Sequence, residues 1–566
     1  MALDAIVVVP ARNEAERIVA CLEALAGQTV GLDRFEVIVV LDGCHDDTET
    51  RAVQAAAKLG VSLSLVTAPG RGTGPARRAG MDLACARLLE AGRPDGLIAS
   101  TDADSRPAPE WLARQLAHVA RGATVIAGRI ELDADEARGL PQGVLVRRGR
   151  DARERMQRVR AIDPGAGHHH FAGASIGVTA ATYESVGGIE PTTDLEDDGF
   201  AQRLAAHGVA IVRAADVVVV TSARTDGRAT RGLSTDLALS RWLERGRYRA
   251  DQFSIAALAA ARDGRSVTVI IPTRECADTI GGVLHHTVAP LRAAGIVDEV
   301  VVIDAASCDG TAQVAAVHGA RVLQQDHLCP ELGPALGKGD AMWRALHHTR
   351  GDIVCFLDGD TSDPAPEHLI GLIGPLLMHP ALVMVRGSFD RPLDTPDGPI
   401  AHEGGRVTEL MARPLLNLFE PLLAGFGQPL AGEFSARREL LEELSFPVGY
   451  GVEIATLIDA LRARGLDALA QCALGTRQNR HQPLRTLGEM AYAVLAAVER
   501  RRAPHATQNL PNGHYVRPWD DDRPFVSVPV DERPPLRDWA AASARPAGSA
   551  GLETDESTET TGAFHG

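Results

Sequence analysis

The sequence predicts an α/β chain made of two doubly wound, mainly parallel sheets in tandem. Three observations predict it. The chain has 566 residues, 45% hydrophobic and 23% charged, an ordinary globular balance in a length too great for one core. Short continuous β-branched runs alternate with Ala-rich helical patterns, as in sheets buried on both faces. An ordered set of motifs also occurs twice.

The first half opens with AIVVVPARNEAERI, continues with VIVVLDGCHDDT and reaches LIASTDADSRP. The second half has TVIIPTRECADTI, VVVIDAASCDGT and IVCFLDGDTSDP. Pro10 and Asp42 stand 32 residues apart, as do Pro272 and Asp304. From Asp42 to Asp102 is 60 residues, against 54 from Asp304 to Asp358. Each motif sits at the carboxyl end of a strand pattern, where ligands bind in such sheets. The expected organisation is a first domain over 1–235, a helical linker over 236–265, a second domain over 266–516 and a Pro- and acid-rich tail over 517–566. The tail is expected to be largely disordered, with FVSVPVDERPPL in it able to pack against the second domain.

The formal net charge of −16 argues against nonspecific nucleic-acid binding, so an anionic ligand needs a local basic site. The eight cysteines are scattered without a CxxC pair and read as reduced thiols. The N-terminus lacks the layout of a signal peptide. The apolar stretches at 253–261 and 491–498 fall short of the roughly 18 residues a membrane helix needs. A cytoplasmic protein without a membrane span is the expectation.

In the second half, Asp358 and Asp360 flank Gly359 after a VCFL strand. Paired carboxylates there suit a hard cation, Mg²⁺ or Mn²⁺, bridging diphosphate oxygens. Lys338 lies between two glycines at a helix start, a place that favours phosphate. Gly404 and Gly405 precede a helix with Arg406, Val407 and Thr408 in its first turn. Arginine is unfavourable for the macrodipole there, which points to a second anion cradle. Glu453 sits among glycines in FPVGYGVEIATLID, where a turn can aim it into a cleft. Arg477, Arg480 and His481 form a basic cluster, His481 being able to bind metal or an anion.

Together LDGD, GKGDAMWR, GGRVTEL, QPLAGEF, GYGVEI and NRH resemble the glucosyl-3-phosphoglycerate synthases, which are retaining GT-A glycosyltransferases. The resemblance spans about 267–495. It implies a GT-A fold and transfer of glucose from UDP- or GDP-glucose to D-3-phosphoglycerate, with the mannosyl reaction from GDP-mannose as runner-up. It places Pro272, Thr273, Arg274, Glu275, Cys276, Asp304 and Ala305 at the nucleotide, and Lys338, Asp358 and Gly359 at donor groups. It puts Asp360 on the metal and Gly405 to Thr408 on 3-phosphoglycerate. Tyr450, Gly451, Val452 and Glu453 then face the sugar, with Arg477 nearby, and a homodimer is implied. The catalytic set becomes Lys338, Asp358, Asp360 and Glu453. Cys276 stands where the family carries an acid, for which Glu275 substitutes. The family's metal histidine aligns with Asn479, and His481, two residues on, is the preferred ligand at the metal or the acceptor. Retention needs no enzymic nucleophile when the acceptor attacks from the face the diphosphate leaves.

The first half resembles the inverting GT-A glycosyltransferases. The resemblance places Asp42 at the nucleobase end and Asp102 and Asp104 at a metal. Asp197, in DLEDDGFAQRL, becomes the base that takes the acceptor's proton. GRGTGPARRAG looks like a dinucleotide fingerprint, but its spacing is wrong. The adjacent side chains of His168, His169 and His170 diverge, which favours acceptor or structural roles over a metal. A reading from another class makes one half a silent binding module.

Overall fold

In the computed structural model, residues 3–227, 229–395, 398–477, 483–503, 513–520 and 522–543 are described. Their contacts divide the chain into two units, residues 1–246 with 418–425 and residues 247–417 with 426–566.

The first unit holds strands β1 (Ala5–Ala11), β2 (Phe35–Asp42), β3 (Leu63–Ala68), β4 (Leu97–Ser100), β5 (Ser105–Pro107), β6 (Val125–Leu132), β7 (Ile176–Thr179) and β8 (Val212–Thr221). They form one sheet in the order β3-β2-β1-β4-β7-β6-β8-β5. The second unit holds β9 (Arg247–Arg249), β10 (Val267–Thr273), β11 (Glu299–Asp304), β12 (Arg321–Gln324), β13 (Ile353–Phe356) and β14 (Met384–Asp390). It adds a hairpin of β15 (Leu393–Thr395) and β16 (Gly398–Ile400), then β17 (Phe434–Arg437), β18 (Phe446–Pro447) and β19 (Leu469–Thr476). Its large sheet runs β12-β11-β10-β13-β17-β14-β19-β9. Apart from the last strand, the two orders are the same topology written twice.

The strand runs are buried on both faces, as their continuous apolar character requires. In β1, Ala5, Val7, Val9 and Ala11 join a core with the helices Ile18–Ala26 and Thr48–Leu59, while Ile6 and Val8 face the helix Thr73–Glu90. Each fully buried Val or Ile contributes about 1.5–3 kcal/mol.

The sheets are mostly parallel, with one strand reversed at the same place in each. β7 runs antiparallel between β4 and β6, and β17 between β13 and β14. The reversal sets Ile176 beside Ser100 and Phe434 beside Phe356. The residues entering β7 and β17 therefore arrive next to the aspartates that follow β4 and β13.

Two expectations are corrected. The stretch 236–265 is not a helical linker. The helix Leu233–Arg245 ends at Gly246, and β9, a 3₁₀ turn at Ala250–Gln252 and the helix Ile255–Ala261 follow within the second unit. β9 pairs with β19 at the sheet edge, and Ser254 caps the last helix by accepting from the Ala257 N–H. The tail also holds structure before residue 544. β20 (Gly513–Val516) and β21 (Phe525–Val528) form a hairpin, β22 (Glu532–Arg533) pairs with β18, and the helix Leu536–Ser543 follows. Polar contacts fix it: Arg533 binds Asp340 at 2.8 Å, and the Trp343 Nε1–H donates to the Pro534 carbonyl at 2.8 Å. Among the described residues, no helix is long and apolar enough to cross a membrane.

Candidate active site

In the second unit the strand ends form a cavity of about 540 Å³. Of the expected donor residues, Pro272, Thr273, Arg274, Cys276, Ala305, Lys338, Asp358, Gly359, Asp360 and Tyr450 line it. Lys338 begins the helix Lys338–His347, and two glycines fix its place. Gly337 has a φ of +155°, and a Cβ on Gly339 would lie 1.9 Å from the Pro447 carbonyl oxygen. Only glycine lets this helix start so close to the neighbouring loop.

The Lys338 ammonium lies 2.8 Å from Asp358 and 3.2 Å from Glu453. Burial opposes its charge, but the two carboxylates outweigh burial and hold its pKa above the ordinary value. Asp358 is held low in turn, Lys338 overcoming its burial. Gly432 covers the pair, since a Cβ there would come within 2.2 Å of the ammonium.

Next to Gly432, Glu433 binds Arg477 at 3.0 Å, both side chains buried. Burial pushes the Glu433 pKa up to about 7, against the pull of Arg477 and with the help of the Asp358 charge. Arg386 reaches both flanks of the site, donating to the Ala431 carbonyl at 2.7 Å and the Glu453 carbonyl at 3.0 Å. Neither Glu433 nor Arg386 was singled out from the sequence. Arg386 had a signal, a charged residue inside the strand β14, whereas Glu433 precedes β17 and had none.

Some expected residues act from outside the cavity. Asp304 is buried beneath it, accepting from Ser307, Gln324 and Thr273, and so shapes the loop that presents Ala305. Glu275, at a φ of +53°, accepts from the Cys308 N–H rather than facing the cavity. Gly451 packs on the helix Leu487–Arg502, and Val452 packs on Gly339. Gly405, at a φ of +67°, turns the chain into a helical segment starting at Arg406, with Val407 and Thr408 following and a π turn from Thr408 to Ala412. These four residues do not line the donor cavity. Asn479, Arg480 and His481 lie outside the described residues.

Among the described residues no cluster of three ligating side chains forms. Asp358 and Asp360 nevertheless line one cavity. Two carboxylates sharing an ion with diphosphate oxygens are an all-oxygen set that fits Mg²⁺ or Mn²⁺.

The C-terminal segment FVSVPVDERPPL, expected to be able to pack against this unit, supplies part of the wall. Ser527, Val528 and Pro529 line the cavity, with Glu489 and Ala493 of the helix Leu487–Arg502.

The first unit has an equivalent cavity of about 580 Å³, lined by Asp42, Asp102, Asp104 and Asp197, as expected from the sequence, and by Glu14, Arg77, Glu196 and Arg224. Asp42 accepts from the N–H groups of Arg71 and Gly72, which ties the Gly-rich loop to the end of β2. Gly74 repeats the role of Gly339, with the Thr192 oxygen 1.9 Å from a Cβ placed there. Arg77 binds Asp102 at 2.7 Å and Glu196 at 2.9 Å, beneath Gly173. This arrangement matches Lys338, Asp358, Glu453 and Gly432.

Arg224 binds Glu14 at 2.7 Å and Asp104 at 2.9 Å. Burial and Asp102 push the Asp104 pKa up to about 6, with Arg224 opposing. Guanidinium groups thus meet both Asp102 and Asp104, the aspartates expected from sequence at a metal, whereas in the second unit only Asp358 is met by Lys338. Asp197 accepts from the Gly173 N–H at 3.1 Å, and burial raises its pKa. His168 meets the Ala127 carbonyl at 3.1 Å, and burial lowers the pKa of all three histidines. They stand outside the cavity lining.

The family description "Glycosyl transferase family 2" matches residues 6–179 and again 268–421. The chain belongs to glycosyl transferase family 2. Each match covers the strands that carry one cavity, so the family 2 pattern is present twice. Among individual relatives, the glucosyl-3-phosphoglycerate synthase of Mycolicibacterium smegmatis is 40% identical over 297 residues, covering 52% of this chain and 97% of the relative. Among solved structures, the mannosyl-3-phosphoglycerate synthase of Rubrobacter xylanophilus is 42% identical, covering 53% of this chain and 98% of its own, with a TM-score of 0.48. The glucosyl-3-phosphoglycerate synthase of Mycobacterium tuberculosis, solved with Mn²⁺, UDP-glucose and phosphoglyceric acid, is 38% identical, covering 51% and 95%, with a TM-score of 0.45. The protein is a glycosyltransferase.

Proposed function

We propose that the second unit transfers glucose from UDP- or GDP-glucose to D-3-phosphoglycerate with retention, giving glucosyl-3-phosphoglycerate. The observation that carries this reading is the 40% identity extending over 97% of a glucosyl-3-phosphoglycerate synthase. The second unit supplies the matching chemistry: one cavity holding Lys338, Asp358, Asp360 and Tyr450.

In this reading Pro272, Thr273, Arg274, Cys276 and Ala305 border the nucleotide, and Lys338 meets the diphosphate. Asp358 and Asp360 hold Mg²⁺ or Mn²⁺, which neutralises charge on the departing diphosphate when bound. Gly405, Arg406, Val407 and Thr408 hold the acceptor. Glu453, tied to Lys338, is placed to orient the sugar rather than to attack it, which suits transfer on the face the diphosphate leaves.

One assay tests this: full-length protein with 3-phosphoglycerate against UDP-glucose, GDP-glucose and GDP-mannose, with the product anomer read by NMR. α-Glucosyl product, lost in excess EDTA and in Asp360→Asn, is expected. Mannose transfer alone would replace the donor assignment, and no transfer to 3-phosphoglycerate would sink the reading.

We also propose that the first unit is a second, inverting glycosyltransferase site with Asp197 as base. The raised pKa of Asp197 and its place in the cavity support this. Slow hydrolysis of an α-linked nucleotide sugar to the β-sugar, abolished by Asp197→Asn, is the expected outcome. Hydrolysis unchanged by that substitution would remove Asp197 from the role.

A further inference from the structure

The two cavities neutralise their carboxylates differently. In the second unit the cation is Lys338, the first residue of its helix. In the first unit Thr73 is the first residue of the corresponding helix, and the cation comes from Arg77 one turn later. The first unit has a further guanidinium as well. Leu132 pairs with Thr221 where Asp390 pairs with Thr476, so Thr221 and Thr476 end matching strands. Arg224 is three residues past Thr221, the position that Asn479 holds past Thr476.

The Arg224 side chain is only 17% exposed, and its partners Glu14 and Asp104 are 8% and 14% exposed. Both its terminal nitrogens bind Glu14, at 3.0 and 2.7 Å, and one also meets Asp104 at 2.9 Å. A divalent ion on Asp104 would compete with the guanidinium for that carboxylate and set two positive charges side by side in a largely buried corner.

We propose that the first unit binds the diphosphate of a nucleoside-diphosphate ligand through Arg224, in place of a divalent ion. This rests on reading the first unit as a nucleotide-sugar site. A guanidinium presents a planar fork that matches phosphate oxygens and stays charged at any working pH.

The test uses the full chain with the second cavity filled by Ala305→Trp, and calorimetric titration with UDP and with GDP. One nucleotide should bind at one site per chain, with a Kd in excess EDTA within about threefold of that in Mn²⁺. Arg224→Ala should raise the EDTA Kd by about 10- to 150-fold, the loss of a charge-assisted hydrogen bond. Arg224→Lys should recover part of it. Because Arg224→Ala leaves Glu14 and Asp104 facing each other, the EDTA comparison with Arg224 intact stands on its own. Binding only with Mn²⁺, or an unchanged Kd in a folded Arg224→Ala protein, overturns the inference while keeping the nucleotide site. No binding of either nucleotide in either condition overturns both.

Discussion

Lys338 sets one positive charge against two carboxylates, and Glu433 sets one negative charge against Arg477 only a few residues away in space. The second pair has a pH consequence. The Glu433 pKa lies near 7 instead of 4.5, so the folded protein holds a proton that the unfolded chain has already lost. The sign follows from linkage: this group's contribution is most favourable below about pH 4.5 and is lost as pH rises to about 7. Glu433→Gln removes the carboxylate partner of buried Arg477, which costs stability at every pH, but it should also remove the fall in stability across that window, so its unfolding midpoints should change less with pH than the parent's. Parallel curves would refute the shift. The acceptor gives a second prediction. 3-Phosphoglycerate carries a carboxylate and a phosphate, and Arg406 at its helix start is the donor expected to meet it. Arg406→Ala should raise the acceptor KM by about 10- to 150-fold and barely move the donor KM. The opposite pattern would put Arg406 on the nucleotide. Lys338, Asp358 and Asp360 were legible from sequence because small motifs at strand ends announce them. Arg77, Arg224 and Glu433 were not, because their partners are distant in sequence and only folding brings them together.

At the scale of elements, the helix starts matter most. Gly339→Ala would bring a methyl group against the Pro447 carbonyl and the Val452 side chain. The clash should cost about 1–3 kcal/mol and shift Lys338. A lower Tm together with a raised donor KM is expected from thermal melts and kinetics, and a lower Tm with unchanged donor KM would show that Lys338 tolerates the shift. The central strands could be read directly, since burial on both faces demands an unbroken apolar run. The reversal of β7 and β17 could not, because an apolar run carries no direction. β5 and β9 are short, polar and edge-placed, so they left no periodic signal.

Across the whole molecule, the doubling of motifs revealed the doubling of units, and FVSVPVDERPPL, expected from sequence to be able to pack against the second domain, does so by pairing Arg533 with Asp340. That Ser527, Val528 and Pro529 also wall the donor cavity could not be read from composition. Ending the chain at Arg517 should therefore lower the Tm of the second unit and abolish measurable donor binding, as followed by calorimetry. Full donor affinity in that shortened protein would show that the wall is dispensable. The place where the second unit begins has a different consequence. β9 is only three residues, Arg-Tyr-Arg, with both arginines exposed, and it covers the outer rim of the apolar strand β19. A bare apolar rim offers its unpaired N–H and C=O groups to any other chain, whereas a short charged strand does not. A protein started at Gly264 would leave that rim open and should aggregate on expression, whatever its catalytic residues can do.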